Sequence, residues 1–393
     1  NPIREYDWGS RSAIAELLGQ PSPSAAPQAE LWLGAHPSAP STALLAGAGR
    51  SLLAWIEERP REVLGPRVQQ RFGERLPFLL KVLAADRPLS IQAHPDAAQA
   101  REGFARENAA GVPPDDPGRC YRDASHKPEL LCALTPFWAL LGFREPREIL
   151  ALAARLGVPE LDAAAACLEE GDAGAALAAW LRGLFGLAPE ARVRLVRAVA
   201  RAAADRADAD TGFGWIARLQ QTQRDDVGVL APLFLHAVRL EPGEAIFLPA
   251  RELHAYLQGV GVELMASSDN VLRGGLTSKP IAVDELLRIL RFEPMRPTVL
   301  RAQRDGSGWE RYPTPALEFE LARATLLGGA SLESGSERGI EILLCTEGEA
   351  AITSSDARES VALAKGASCV VPAAAGAYRI SGSGTLYRAS VPA

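Results

Sequence analysis

Leu89-Ser90-Ile91-Gln92-Ala93-His94-Pro95-Asp96 is the stretch on which the fold turns. Gln92 and His94 are two residues apart, so on a strand both side chains point to one face. Two other stretches offer matching chemistry: His126-Lys127-Pro128-Glu129 and Leu253-His254-Ala255-Tyr256-Leu257-Gln258-Gly259. Glu129 adds a carboxylate and His254 a second imidazole. Two imidazoles, one carboxylate and one amide oxygen make a mixed nitrogen and oxygen set. It suits Zn²⁺ and also Fe²⁺, Mn²⁺ or Co²⁺. Four protein ligands alone would close a structural tetrahedron, whereas a catalytic site needs a further exchangeable position.

Around these stretches the chain is ordinary in composition. Its 393 residues exceed one small core, so two or three domains are expected. Hydrophobic residues are 47% and charged residues 23%, the balance of a soluble globular protein. A net charge of −6 leaves no basic excess to neutralise a nucleic-acid backbone. An anionic substrate is still compatible with that charge if a few cations are focused in one cleft. No run reaches the roughly 18–20 apolar residues of a membrane span, and the first residues carry no signal-peptide core. Cys120, Cys132, Cys167, Cys345 and Cys369 are odd in number and form no CxxC pair, which reads as reduced thiols in a cytoplasmic chain.

The texture along the chain changes twice. Up to about residue 143, short β-like runs alternate with turns. Phe78 to Leu83 and Leu89 to His94 read as neighbouring strands, and Leu52 to Ile56 as helical. Residues 144–223 are rich in Ala and Arg with apolar residues three and four apart, a block of short helices inserted in a β domain. Residues 224–294 return to that domain. Val238 to Pro249 reads as strand, Pro-Gly turn and strand, Val262 to Ala266 as a half-buried strand, and 284–292 as a short amphipathic helix. Residues 295–393 have strand signals at Glu318–Arg323, Ile340–Thr346, Ala350–Thr353, Ala367–Pro372 and Thr385–Ala389, which suit a small barrel or jelly roll. That segment contains no His, so a metal site is not expected in it.

Taken in order, these pieces closely resemble type I mannose-6-phosphate isomerases, a zinc-dependent cupin family. The resemblance opens with Tyr6-Asp7-Trp8-Gly9 and Ala29-Glu30-Leu31-Trp32-Leu33-Gly34-Ala35-His36-Pro37. It continues through Pro77 to Leu83, Leu89 to Pro95, His126 to Glu129, Pro242 to Ala245 and His254 to Leu257. It closes with Ser267-Ser268-Asp269-Asn270-Val271-Leu272-Arg273-Gly274-Gly275-Leu276-Thr277-Ser278-Lys279. No motif after about residue 295 takes part.

The resemblance implies a mainly β fold with an α insertion: two cupin-type jelly-roll β barrels plus a helical domain. It implies one Zn²⁺ held by Gln92, His94, Glu129 and His254, and interconversion of mannose 6-phosphate and fructose 6-phosphate. That isomerisation moves a proton between C1 and C2 through an enediol, so it needs a cation near the oxyanion and a base that reaches both carbons. Lys127 lies two residues before Glu129 and is expected on its face. Arg273 is a permanent cation for the C1–C2 region or the phosphate. Glu263 is the best-placed carboxylate for proton transfer, and His126 and Asp269 are candidates for ring opening. Lys81, Ser90 and Lys279 match cleft positions and are expected at the phosphate, with Trp8 as an apolar wall. His36 and His236 read as structural, His36 packing beside Trp32. The expected partner is a small sugar phosphate bound by a monomer, with neither nucleic acid nor membrane. Other readings fit the donor set alone: another metal-dependent cupin enzyme, either an Fe(II) oxygenase or an isomerase of a different sugar, or a sugar-phosphate-binding cupin without turnover.

Overall fold

A computed structural model of the chain describes residues 1–45 and 47–392. Its architecture is a mixture of helices and extensive antiparallel sheets. One strand organises the functional half of the molecule. His254–Ala266 runs for 13 residues and changes partners midway. Residues 259–266 lie between Phe78–Ala85 and Glu129–Ala133. The other end, from His254, pairs with Ile91–Ala93 and with Phe137–Phe143. The register shifts between Tyr256 and Gln258, and Gly259 follows at φ +130°. A side chain there would strike Phe137 and the Pro136 carbonyl, so only glycine lets the strand bend between layers.

This strand corrects two expectations. Phe78 to Leu83 and Leu89 to His94 are not neighbours; each pairs with a different half of His254–Ala266. Nor is Val262 to Ala266 half-buried: all five residues are buried, at the far end of the strand that begins at His254. Pairings this distant in sequence leave no local trace.

Helices fill 146–222. Pro146–Leu156, Pro159–Ala165 and Pro189–Ala204 each begin with a proline at the first turn, where its missing N–H is harmless. Asp172 and Asp210 cap Ala173–Phe185 and Thr211–Thr222 by accepting backbone N–H bonds. The buried faces of these helices, including Trp180, Phe213 and Ile216, share one core with Ile91, Leu140, Ala255 and Leu272. The helical block is thus backing for the sheet that carries Gln92 and His254. The helix expected at 284–292 is Val283–Ile289.

The last quarter of the chain forms an eight-stranded antiparallel sheet built on Glu341–Ser354 and Tyr378–Ser390. Two expected strands, Ile340–Thr346 and Ala350–Thr353, are one strand interrupted by a bulge between Cys345 and Glu347. Leu300–Arg301 still pairs with Glu244–Leu248 of the first sheet, so that sheet extends past residue 294, where the sequence placed its end. The two sheets also share a core. Tyr312, Phe319, Leu344 and Tyr387 are buried in the same cluster as Val82, Leu130, Cys132 and Leu264. At about 1.5–3 kcal/mol for each large side chain buried, such a seam holds the second sheet firmly on the first.

Candidate metal centre and active site

His94, Glu129 and His254 converge, with one potential ligand atom from each lying within 4.8 Å of the others. Sheet pairing brings them together. Gln92 sits opposite His254, and Glu129 opposite Met265 of the same long strand. His94 Nε2 is 3.4 Å from Glu129 Oε1, and His254 Nε2 is 3.5 Å from Glu129 Oε2. The outer nitrogens are committed. His94 Nδ1 bonds the Asn270 carbonyl at 2.7 Å and His254 Nδ1 the Glu252 carbonyl at 3.0 Å. Each Nδ1 must therefore donate, which turns both Nε2 lone pairs inward.

The cluster fits a metal ion. His94 Nε2 and Glu129 Oε2 are fully buried with no hydrogen-bond partner among the described residues, a costly state unless an ion satisfies them. Burial pushes the His94 imidazole down to about 4, so its lone pair is free at neutral pH. Burial would raise the Glu129 carboxyl, but chiefly the charge of Lys127 outweighs it and holds the carboxyl well below its usual range. The Gln92 amide nitrogen lies 3.5 Å from His254 Nε2, and a half-turn of the amide presents its oxygen instead.

Beside the cluster is a buried charge lattice. Lys127 Nζ is 3.1 Å from Glu129 Oε1, as its expected position on that face implies. Lys81 stands opposite Glu263 in the sheet and bonds it at 3.1 Å, with Glu30 at 3.5 Å on its other side. Burial lowers the Lys81 ammonium, but Glu30 and Glu263 more than compensate and keep it protonated. Lys81, expected at the phosphate, is thus already neutralised by two buried carboxylates. Glu263 is pushed up by burial, opposed by Lys81 and reinforced by Glu129 and Glu30. Its neighbour Tyr256 is fully buried, and burial followed by the Glu263 charge drives its phenol well above the usual range. Neither Glu30 nor Tyr256 was singled out from sequence, although both stand in the motifs quoted above.

His126 and Asp269 have unexpected partners. His126 Nε2 bonds Glu318 Oε1 at 2.7 Å, a residue of the C-terminal sheet region where no site residue was expected. Asp269 is 3.3 Å from His36 Nε2. The hydrogen bond from His36 opposes the effect of burial and lowers the Asp269 carboxyl. His36 packs edge-on to Trp32 at 4.9 Å, as expected, but it also meets this carboxylate. Asn270 ties the loop before His126 to the site: its amide donates to the Asp123 and Ser125 carbonyls and its oxygen accepts from Arg122 N. A cavity of about 240 Å³ opens here, lined by His126, Glu318, Arg75, Arg101, Ser125 and Ser267.

Arg122, Arg273 and Lys279 have no carboxylate partner among the described residues. Burial and then Arg122 lower the Arg273 guanidinium, and Arg273 is the largest cause of a lowered Lys279. Arg273 is opposite Gln92, which puts it on the face of the metal cluster. Ser90 is half-buried just before Ile91–Ala93, with no side-chain hydrogen bond among the described residues. Trp8 stacks on Tyr6 at 5.7 Å and packs on the apolar cluster that contains Tyr256.

Comparison with known proteins agrees with this geometry. Residues 1–146 match the family model for the catalytic domain of type I phosphomannose isomerase, and residues 311–391 the model for the mannose-6-phosphate isomerase cupin domain. The chain is 40% identical over 392 residues to the mannose-6-phosphate isomerase of Escherichia coli (strain K12), covering 99% of this chain and 97% of the relative. It is 38% identical over 317 residues to the Homo sapiens mannose-6-phosphate isomerase, covering 74% and 72%. A crystal structure of a zinc-bound mannose 6-phosphate isomerase superposes with a TM-score of 0.91 at 37% identity, covering 100% of this chain and 98% of that one. A point mutant of the Salmonella typhimurium phosphomannose isomerase superposes at 0.92, also at 37% identity over 100% and 98% of the two chains. Likeness of this extent in both sequence and fold means that the chain belongs to the type I phosphomannose isomerase family.

Proposed function

We propose that the chain interconverts mannose 6-phosphate and fructose 6-phosphate with one zinc ion held by Gln92, His94, Glu129 and His254. The observation that carries this reading is the set of inward-facing, unpartnered donors on His94 and Glu129, in a site bordered by unpaired cations. When bound, zinc supplies a Lewis acid for the oxyanion that develops along C1–C2. The protein's own groups then divide the work. Glu263, raised by burial, takes the proton from C2 and returns it to C1, while the hydroxyl proton moves from O2 to O1. Lys81 holds Glu263 in place from the adjacent strand, a role that replaces phosphate binding. Lys127 sits over Glu129 and adds positive charge at the enediol.

Arg273, Lys279 and Arg122 are assigned to the anionic substrate, with Ser90 a hydrogen-bonding neighbour and Trp8 an apolar border. Phosphate binding far from the reacting carbons supplies orientation. His126 and Asp269 are assigned to opening the pyranose ring. In domain terms we assign 1–143 and 224–294, with the added strand Leu300–Arg301, to a catalytic cupin barrel. Residues 144–223 form its helical insertion and the remainder a second, cupin-like barrel. One chain supplies every group named, so a monomer suffices. Among the described residues no helix is long and apolar enough to cross a membrane. The five free cysteines suit a reducing, cytoplasmic setting.

The test is specificity at equal metal loading. Mannose 6-phosphate should exceed free mannose in kcat/KM by orders of magnitude. Equal values for the two sugars would remove the anion pocket from the account.

A further inference from the structure

His126 lies in an irregular segment just before Glu129–Ala133, so no secondary structure sets its ring. Its side chain has one hydrogen-bond partner among the described residues, Glu318 Oε1, bonded to Nε2 at 2.7 Å. The two residues are 192 positions apart and belong to different sheets' surroundings. Glu318 is itself held firmly. Its other oxygen accepts the Leu317 backbone N–H at 3.2 Å, and the next residue, Phe319, is fully buried in the core shared by the two sheets. Burial would raise the Glu318 carboxyl, yet the hydrogen bond from His126 leaves it lowered, so it stays an acceptor. Both side chains line the same cavity, with Ser125 and Ser267, His126 a third exposed and Glu318 one-sixth.

We propose that Glu318 is a positioning residue for His126: the C-terminal sheet reaches into the catalytic half and fixes the tautomer of the imidazole that opens the sugar ring. A carboxylate accepting from Nε2–H leaves the lone pair on Nδ1, and it stops the ring from flipping. His126 then takes the anomeric O1 proton at Nδ1. The C1–O5 bond breaks, its electron pair goes to O5, and O5 takes a proton from water. The imidazolium returns its extra proton to solvent, so protons balance. The same logic explains how a sheet without a histidine contributes to turnover, by locking one that lies elsewhere. This inference rests on the functional reading above, because it needs ring opening to be part of the cycle.

The experiment uses the full-length zinc-loaded chain and four forms: wild type, Glu318→Gln, His126→Gln and the double variant. Glu318→Gln should lower kcat for mannose 6-phosphate by about tenfold or more. KM should stay within about twofold, and zinc content and Tm should be unchanged. In the His126→Gln background the same change should have no further effect, because Glu318 acts only through that ring. Nitrogen-15 NMR of labelled histidines, with His126→Gln to assign the signal, should show the Nε2–H form in the wild type and a mixture of tautomers in Glu318→Gln. An equal loss of kcat in both backgrounds, or the same tautomer with and without the carboxylate, would overturn the proposal. A wild-type chain that is inactive on mannose 6-phosphate would sink the functional reading instead, while the NMR would still decide what Glu318 does to His126.

Discussion

Arg273 lies directly opposite Gln92 where Leu272–Gly275 pairs with Ile91–Ala93, and no carboxylate among the described residues pairs with it. Gln92 in turn faces His254 on its other side. One row across three strands therefore runs from a free guanidinium to the metal cluster, all on one face of the sheet. A cation left half-buried and unpaired costs stability, which makes sense if a substrate anion completes it.

Replacing Arg273 by Ala is thus expected to lower kcat/KM by about 10²-fold or more while leaving bound zinc at wild-type levels. His254→Ala should instead lose both activity and metal, because it removes an inward Nε2. Elemental analysis beside a rate measurement separates the two. Full activity of Arg273→Ala would show that its charge serves only the surface.

Lys81 tests the buried lattice. Removing it as Lys81→Met strands Glu30 and Glu263 in the core, and breaking a buried pair this way costs about 3–5 kcal/mol. The urea midpoint should fall accordingly, and the loss should shrink in Lys81→Met with Glu263→Gln, where one carboxylate is gone. An unchanged midpoint in the single variant would show that the lattice is solvated.

Acid stability has a separate source at His236, on the edge strand Leu235–Leu240. Burial, then Arg144, holds its imidazole down at about 4 in the folded chain, against the usual 6.5. The unfolded chain takes up this proton first, so stability is lost as pH falls from about 6.5 toward 4 and the term is constant below that. Because the ring is only half-buried, the effect is smaller than the shift alone suggests. The wild type should lose more stability between pH 7 and pH 5 than His236→Gln, read from urea midpoints. Equal slopes for the two would remove His236 from the acid response.

Much of the site was legible because its residues sit in compact motifs. Gln92 in the short strand Ile91–Ala93 and His94 just past its end lie two apart, as do Lys127 and Glu129, so local geometry alone groups them. What was missed depends on distant pairing. Glu318 reaches His126 from 192 residues away, and nothing around Leu317-Glu318-Phe319 marks a site. Lys81 read as a phosphate cation because its neutralising partners, Glu30 and Glu263, lie on other strands. The fold shows the same division. The helices announced themselves through Ala, Arg and periodic apolar residues, whereas the partner exchange along His254–Ala266 hangs on one bend at Gly259.

The central claim is a metal-dependent isomerisation, and its most direct test is one rate measured three times. Formation of fructose 6-phosphate from mannose 6-phosphate should be followed in the purified chain, after chelation, and after zinc is restored. The account expects turnover in the first, loss in the second and recovery in the third. Undiminished turnover in chain shown by elemental analysis to be free of metal would contradict it.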